Sequence, residues 1–148
     1  DQILAITPPT AGLNIRKMIN LAQILQSHTL NFFHLSSPDF IYGFDAPKED
    51  RNIFKMMQTH PQLARDGINL RSFGQRIIEE FGGKRIHPAG IVGGGVLNQV
   101  RPEQREKVLA EVPQMLKIAQ EALDLYKSIF LTFVLILFLC HLQTKRER

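Results

Sequence analysis

The stretch between Lys17 and Asp39 holds no Asp, Glu, Lys or Arg, although its apolar residues recur at helical spacing. A helix on the surface of a globular domain normally shows a charged side. Here the side opposite Leu21, Leu25 and Phe32 carries Asn20, Gln23, Ser27, Asn31 and His34, three or four residues apart. Uncharged hydrogen-bonding groups suit a helix buried on all sides, where every polar atom must find a partner. So many amides argue against insertion into lipid. A helix of about 25 residues surrounded by protein asks for more protein than a chain of 148 residues readily supplies. The expectation is a piece of something larger, or of an obligate complex.

The rest of the chain reads as helices separated by Pro and Gly. Pro8-Pro9 ends the opening segment, and Thr10 is an N-cap for a helix running to about Leu35, which Ser36-Ser37-Pro38-Asp39 then breaks. A short helix follows from about Glu49 to Gln58. His60-Pro61 separates it from a longer one, in which Leu63, Leu70, Phe73, Ile77 and Phe81 recur until Gly82-Gly83 stop it. Residues 84–100 form a Gly-rich loop with room for one short strand. Pro102 and Glu103 open the last helix, whose apolar face is Val108, Val112, Met115, Ala119, Leu123 and Tyr126, with a kink expected at Pro113. The fold class is mainly α.

Composition excludes several functions. Cys140 is the one cysteine, so there is no disulfide framework and no Cys-pair metal site. Half of the net charge of +4 sits in a tail holding Lys145, Arg146 and Arg148, and the rest of the chain is near balance, which argues against a basic face for nucleic acid. His28 and His34 lie on different helix faces and cannot chelate one metal. Glu79-Glu80 is a solvated face. Gly93-Gly94-Gly95 lacks the Lys-Ser/Thr of a phosphate-binding loop. The run Ile129–Cys140 is apolar or hydroxylic without a charge, shorter than the roughly 20 residues of a bilayer span. Residue types and spacing alone show no activity.

Three ordered blocks supply what spacing does not. The stretch Ile6-Thr7-Pro8-Pro9, continuing from Asn20-Leu21-Ala22-Gln23 through Ser36-Ser37-Pro38-Asp39, resembles the large catalytic subunit of nickel–iron hydrogenases. It is most similar to the soluble, NAD-linked bidirectional branch. Leu70-Arg71-Ser72-Phe73-Gly74-Gln75 agrees in order and spacing. So does Gly82-Gly83-Lys84-Arg85-Ile86-His87-Pro88 leading into Val92-Gly93-Gly94-Gly95-Val96. The resemblance covers about residues 1–128. Gly93 departs from the soluble branches, which usually carry Pro before Gly-Gly.

The resemblance implies a helical central part of the large-subunit fold over 1–128, with 129–148 unrelated to it. It implies a parent that oxidises H2 or reduces protons reversibly, passing electrons through an iron–sulfur small subunit, then diaphorase subunits, toward NAD in the cytoplasm. The parent's nickel–iron centre, with CO and cyanide on iron, is held by thiolates of two Cys-x-x-Cys motifs, and neither motif occurs in this chain. No residue is therefore assigned to catalysis, cofactor or metal, and this chain alone is expected to be inactive. What transfers is the scaffold and part of the face toward the small subunit: His87, Pro88, Gly94 and Gly95. His87 is expected near the proximal cluster of that subunit, where an imidazole donor tunes a potential. The buried polar stripe is Asn20, Gln23, Ser27 and His34. The tail reads as a frameshift, assembly error or gene remnant rather than an evolved anchor. The competing reading is a non-catalytic helical protein held to a membrane or a partner through residues 129–142.

Overall fold

The computed structural model describes residues 1–146 of the chain, with side chains described for residues 1–132, 134 and 135. A short turn at Gln2–Leu4 precedes α1 (Thr10–Thr29), which runs through a π-helical segment (Leu30–Ser36) into α2 (Ser37–Tyr42). Next come α3 (Ile53–Thr59), α4 (Pro61–Gly82), a two-strand hairpin of β1 (Ile91–Val92) and β2 (Gly95–Val96), and α5 (Pro102–Arg146).

Pro9, not Thr10, is the N-cap of α1; its extended backbone starts the helix without a side-chain cap. The expected break at Ser36–Asp39 does not occur. A proline inside an α-helix lacks the N–H for its bond and presses on the carbonyl four residues back. Here the helix first widens into the π-helical segment. The Ser37 N–H donates to the Phe32 carbonyl, five residues earlier. The Ser37 hydroxyl donates to the same oxygen at 2.6 Å. That wider turn delivers Pro38 into the first turn of α2, where its missing N–H costs nothing.

The core forms where α1 and the π-helical segment cross α4. Ile19, Ala22 and Phe33 meet Leu70, Phe73, Ile77, Ile78 and Phe81. Each such side chain contributes roughly 1.5–3 kcal/mol on burial. The crossing is close because α4 offers glycines on that side. A Cβ at Gly74 would lie 2.9 Å from the Ala22 carbonyl oxygen, and one at Gly67 would lie 2.6 Å from Phe33 Cβ. This corrects the face expected for the first helix. Its buried line is Gly12, Ile19, Ala22 and Thr29, while Leu21 is 55% exposed. Small residues face α4 because the glycines draw the backbones together, and the larger Leu21 and Ile24 are turned outward.

The helix expected from Glu49 begins only at Ile53, where the Asn52 side chain caps the Lys55 N–H at 3.0 Å. α4 behaves as its periodicity indicated and ends at Gly83, whose φ of 86° takes the left-handed stop. The loop after it contains an antiparallel hairpin pairing Ile91 with Val96 and Val92 with Gly95. α5 starts at Pro102, with the Gln104 side chain accepting from the Arg101 N–H at 3.1 Å. Its inward residues are Met115, Ile118 and Ala122, whereas Val112 and Leu123 of the expected face are exposed. Pro113 is accommodated inside one continuous helix that also crosses the boundary expected at residue 128. Arg76 of α4 ties α5 down through both carboxylate oxygens of Glu111. That hydrogen-bonded carboxylate raises the Arg76 pKa above its ordinary value. Among the described residues no helix is long and apolar enough to cross a membrane. Much of the apolar run Ile129–Cys140 lies outside the described side chains.

Replacing Gly74 by Ala tests the crossing. An exposed helical Gly gains about 1 kcal/mol on becoming Ala. At this position the new methyl has no room, so urea denaturation is expected to show a net loss of about 1–2 kcal/mol. Increased stability would mean that α1 and α4 do not touch there.

Candidate functional site

One end of the molecule gathers the start of the chain, the first turns of α1, the last turn of α4 and the Gly-rich loop. Arg16 is at its centre. Its Nε donates to the Gly95 carbonyl at 3.1 Å and its Nη2 to the same oxygen at 2.9 Å. Nη2 also donates to the Val92 carbonyl, and Nη1 pairs with the Asp1 carboxylate. Asp1 in turn accepts from the Gly94 N–H at 2.8 Å. A single guanidinium thus grips both strands of the hairpin, and the carboxylate it holds grips the corner. The arrangement needs the planar fork of arginine, since lysine offers one point charge.

The corner of the hairpin also needs a glycine. Gly94 takes a φ of 88° at the corner, and a Cβ on Gly12 would come within 3.4 Å of the Gly95 Cα. Gly95 is buried and Gly94 half-buried. Pro88 is half-buried and lies where a Cβ on Gly82 would come within 2.6 Å of it. The loop closes back on α4 through Gly90 N–H to the Gly82 carbonyl at 2.9 Å, and on itself through Leu97 N–H to the Gly90 carbonyl at 2.8 Å. His87 is exposed and holds a φ of 53°. That conformation is uncommon for a residue with a Cβ, and it sets the imidazole on the outer side of the loop end. Nearby, Arg85 pairs with Glu79 at 2.7 Å.

The sequence therefore named four residues of this end, His87, Pro88, Gly94 and Gly95, and the fold brings their loop onto α1 and α4. It missed Asp1 and Arg16. The available signal was slight: Arg16 and Lys17 are the last charges before the uncharged stretch. The polar stripe is not at this end. Asn20, Gln23 and Ser27 are not enclosed on all sides in this chain, and His34 is half-buried. His34 Nδ1 is enclosed without a hydrogen-bond partner. Burial lowers the His34 pKa below 6.5, the positive charge of Arg71 lowers it further, and the Thr29 carbonyl offsets part of this. Beside the stripe lies an open cavity of about 600 Å³ between the π-helical segment, α4 and α5, lined by Leu25, Phe32, Leu70 and Tyr126 among others. Among the described residues no three His, Cys, Asp or Glu side chains converge as metal ligands would.

No family model matches the chain. It is 37% identical over 121 residues to a vhu-type F420-non-reducing hydrogenase subunit of Methanococcus voltae, a match that covers 82% of this chain and 29% of that protein. It is 35% identical over 124 residues to the NAD-reducing hydrogenase HoxS subunit beta of Cupriavidus necator, covering 80% of this chain and 25% of that one. A crystal structure of NAD+-reducing nickel–iron hydrogenase in the H2-reduced state superposes with a TM-score of 0.81 at 35% identity. That match covers 84% of this chain and 28% of the solved one. The homologues of this chain are hydrogenase subunits. It spans between a quarter and a third of the length of these hydrogenase relatives. The helical arrangement around the α1–α4 crossing is thus shared with a hydrogenase chain.

Two outcomes test the geometry. Arg16→Lys should lose most of the clamp, with a loss of stability of about 2 kcal/mol and faster amide exchange at Gly94; wild-type exchange would show that the clamp does not hold the hairpin. His34 gives a pH signature. Its folded pKa is depressed, so the unfolded chain binds more protons in the interval below 6.5. Its contribution is therefore full above 6.5 and is lost as pH falls through that interval toward the folded value. His34→Gln should flatten this part of the acid slope of the urea midpoint; an unchanged slope would place the histidine in water.

Proposed function

We propose that this chain is the central part of the large, catalytic subunit of a nickel–iron hydrogenase of the NAD-linked bidirectional type. In this reading residues 1–128 are hydrogenase scaffold and residues 129–148 lie outside it. The parent enzyme, in the cytoplasm, oxidises H2 or reduces protons and passes electrons through an iron–sulfur small subunit, then diaphorase subunits, to NAD. The observation that carries the reading is the TM-score of 0.81 at 35% identity to a chain of NAD+-reducing nickel–iron hydrogenase.

The nickel–iron centre itself does not fit this chain. Nickel and iron with CO and cyanide need several soft thiolates, and Cys140 is the one cysteine present. In this reading the thiolates come from outside these 148 residues, and no step of H2 chemistry is assigned to the side chains described. Their work is to hold a surface. The Arg16 clamp fixes the hairpin, Gly94 leaves room at its corner for the small subunit's backbone, the buried Gly95 backs that corner, and Pro88 holds the loop against Gly82. His87 then presents an imidazole to the small subunit beside its proximal cluster. An exposed imidazole on a fixed loop, with no hydrogen bond from the described residues, is what such a donor requires.

A hybrid enzyme tests this. Residues 1–128 replace the matching stretch of an NAD-reducing hydrogenase large subunit. The hybrid is expected to bind its small subunit, incorporate nickel and reduce NAD with H2. A hybrid that folds but neither binds the small subunit nor takes up H2 would remove the reading. In that hybrid His87→Ala should leave nickel content unchanged and move the proximal cluster's potential negative. A donor to cluster sulfur favours the more negative, reduced state, so its loss disfavours reduction. An unchanged potential in a fully assembled variant would make His87 purely structural.

A further inference from the structure

Two ion pairs join α4 to α5. Arg76 donates through Nη1 and Nη2 to the Glu111 carboxylate, and Lys107 Nζ lies 3.8 Å from Glu80 Oε1. Arg76 and Glu80 stand one turn apart on the same side of α4, a spacing that allows a direct bond between them. They do not make it. Each is committed to a charge on α5, and each keeps one enclosed polar atom without a hydrogen-bond partner among the described residues. Those atoms are Nε of Arg76 and Oε2 of Glu80. The two side chains are electrostatic neighbours all the same. The Glu111 hydrogen bond is the main cause of the raised Arg76 pKa; burial opposes it, and the charges of Glu111 and Glu80 add to it.

The space among these charges is small and suits one kind of occupant. A cavity of about 10 Å³ lies in the joint, lined by Arg76, Glu80, Lys107 and Glu111, with Ile77 and Val108 among its apolar walls. That is room for a single water and for little more. The occupant must meet two opposite demands, since Nε–H calls for an acceptor and an ionised carboxylate oxygen calls for a donor. Chloride cannot donate and a metal ion cannot accept; water does both. The four charged residues sum to zero, so nothing here recruits an ion. Leaving both atoms unpartnered costs more than immobilising one water. Both walls of the joint belong to this chain, so the site is complete without a partner.

We propose that the α4–α5 joint holds one buried water, which accepts from Arg76 Nε–H and donates to Glu80 Oε2. The water closes a run of alternating charges from Glu111 through Arg76 and Glu80 to Lys107. At this point α5 is fixed to α4 by a hydrated polar network beside the apolar contact.

Water-selective NMR on the full, 15N-labelled chain at mildly acidic pH reads the site. The Arg76 Nε–H should exchange slowly and show a rotating-frame cross-peak to water of the sign opposite to exchange, as a bound water gives. Val108→Ile adds a methylene to the cavity wall and should expel the water. The cross-peak should then vanish and the urea midpoint fall, although apolar volume has been gained. Glu80→Gln keeps an acceptor oxygen in place and should keep the cross-peak. A slowly exchanging Nε–H without a water cross-peak overturns the proposal, since Arg76 and Glu80 then touch directly. A fast-exchanging Nε–H also overturns it, since bulk solvent then reaches the atom. So does a Val108→Ile variant with a raised urea midpoint, which is the behaviour of a dry cavity being filled.

Discussion

The contact between α1 and α4 is what the rest of the structure depends on. Gly67 and Gly74 remove the side chains that would hold the two helices apart, and Ala22 and Phe33 fill the space. Close approach lets Ile19, Leu70, Phe73, Ile77 and Phe81 bury together in a chain otherwise short of interior. It also decides which side of α1 is inside. With backbones this near, the small residues must face inward, and Leu21 and Ile24 are left to solvent or to a partner.

The crossing also sets the candidate site. Because α1 begins where α4 ends, Arg16 reaches the loop that follows Gly82, and the hairpin closes over it. The guanidinium donates to the Val92 and Gly95 carbonyls, and Asp1 balances its charge. The result is a fixed loop end carrying an outward histidine. Rigidity of that kind serves docking and positioning. In the reading proposed above, that loop end is scaffold.

The two long exposed features have one physical origin. The uncharged polar stripe on α1 and the exposed Leu116 and Leu123 on α5 lie on the outer sides of helices whose inner sides already meet α4 or its neighbours. An open cavity lies between the π-helical segment and α5.

Local rules were enough to read the main helices, the Pro102 start, the Gly83 stop and the inward face of α4 from the sequence. Periodicity and capping act within one or two turns, and there the residues decide alone. The loop end could be named for the same reason, since Gly and Pro restrict backbone wherever they occur. Other features needed the tertiary structure. Whether Pro38 breaks a helix or follows a π-helical turn depends on what Ser37 bonds. Which face of α1 is buried depends on glycines some fifty residues away in α4. Arg16 looked like an ordinary surface cation until the hairpin arrived from residues 91–96. Its role is a relation between segments distant in sequence, and only packing brings such segments together.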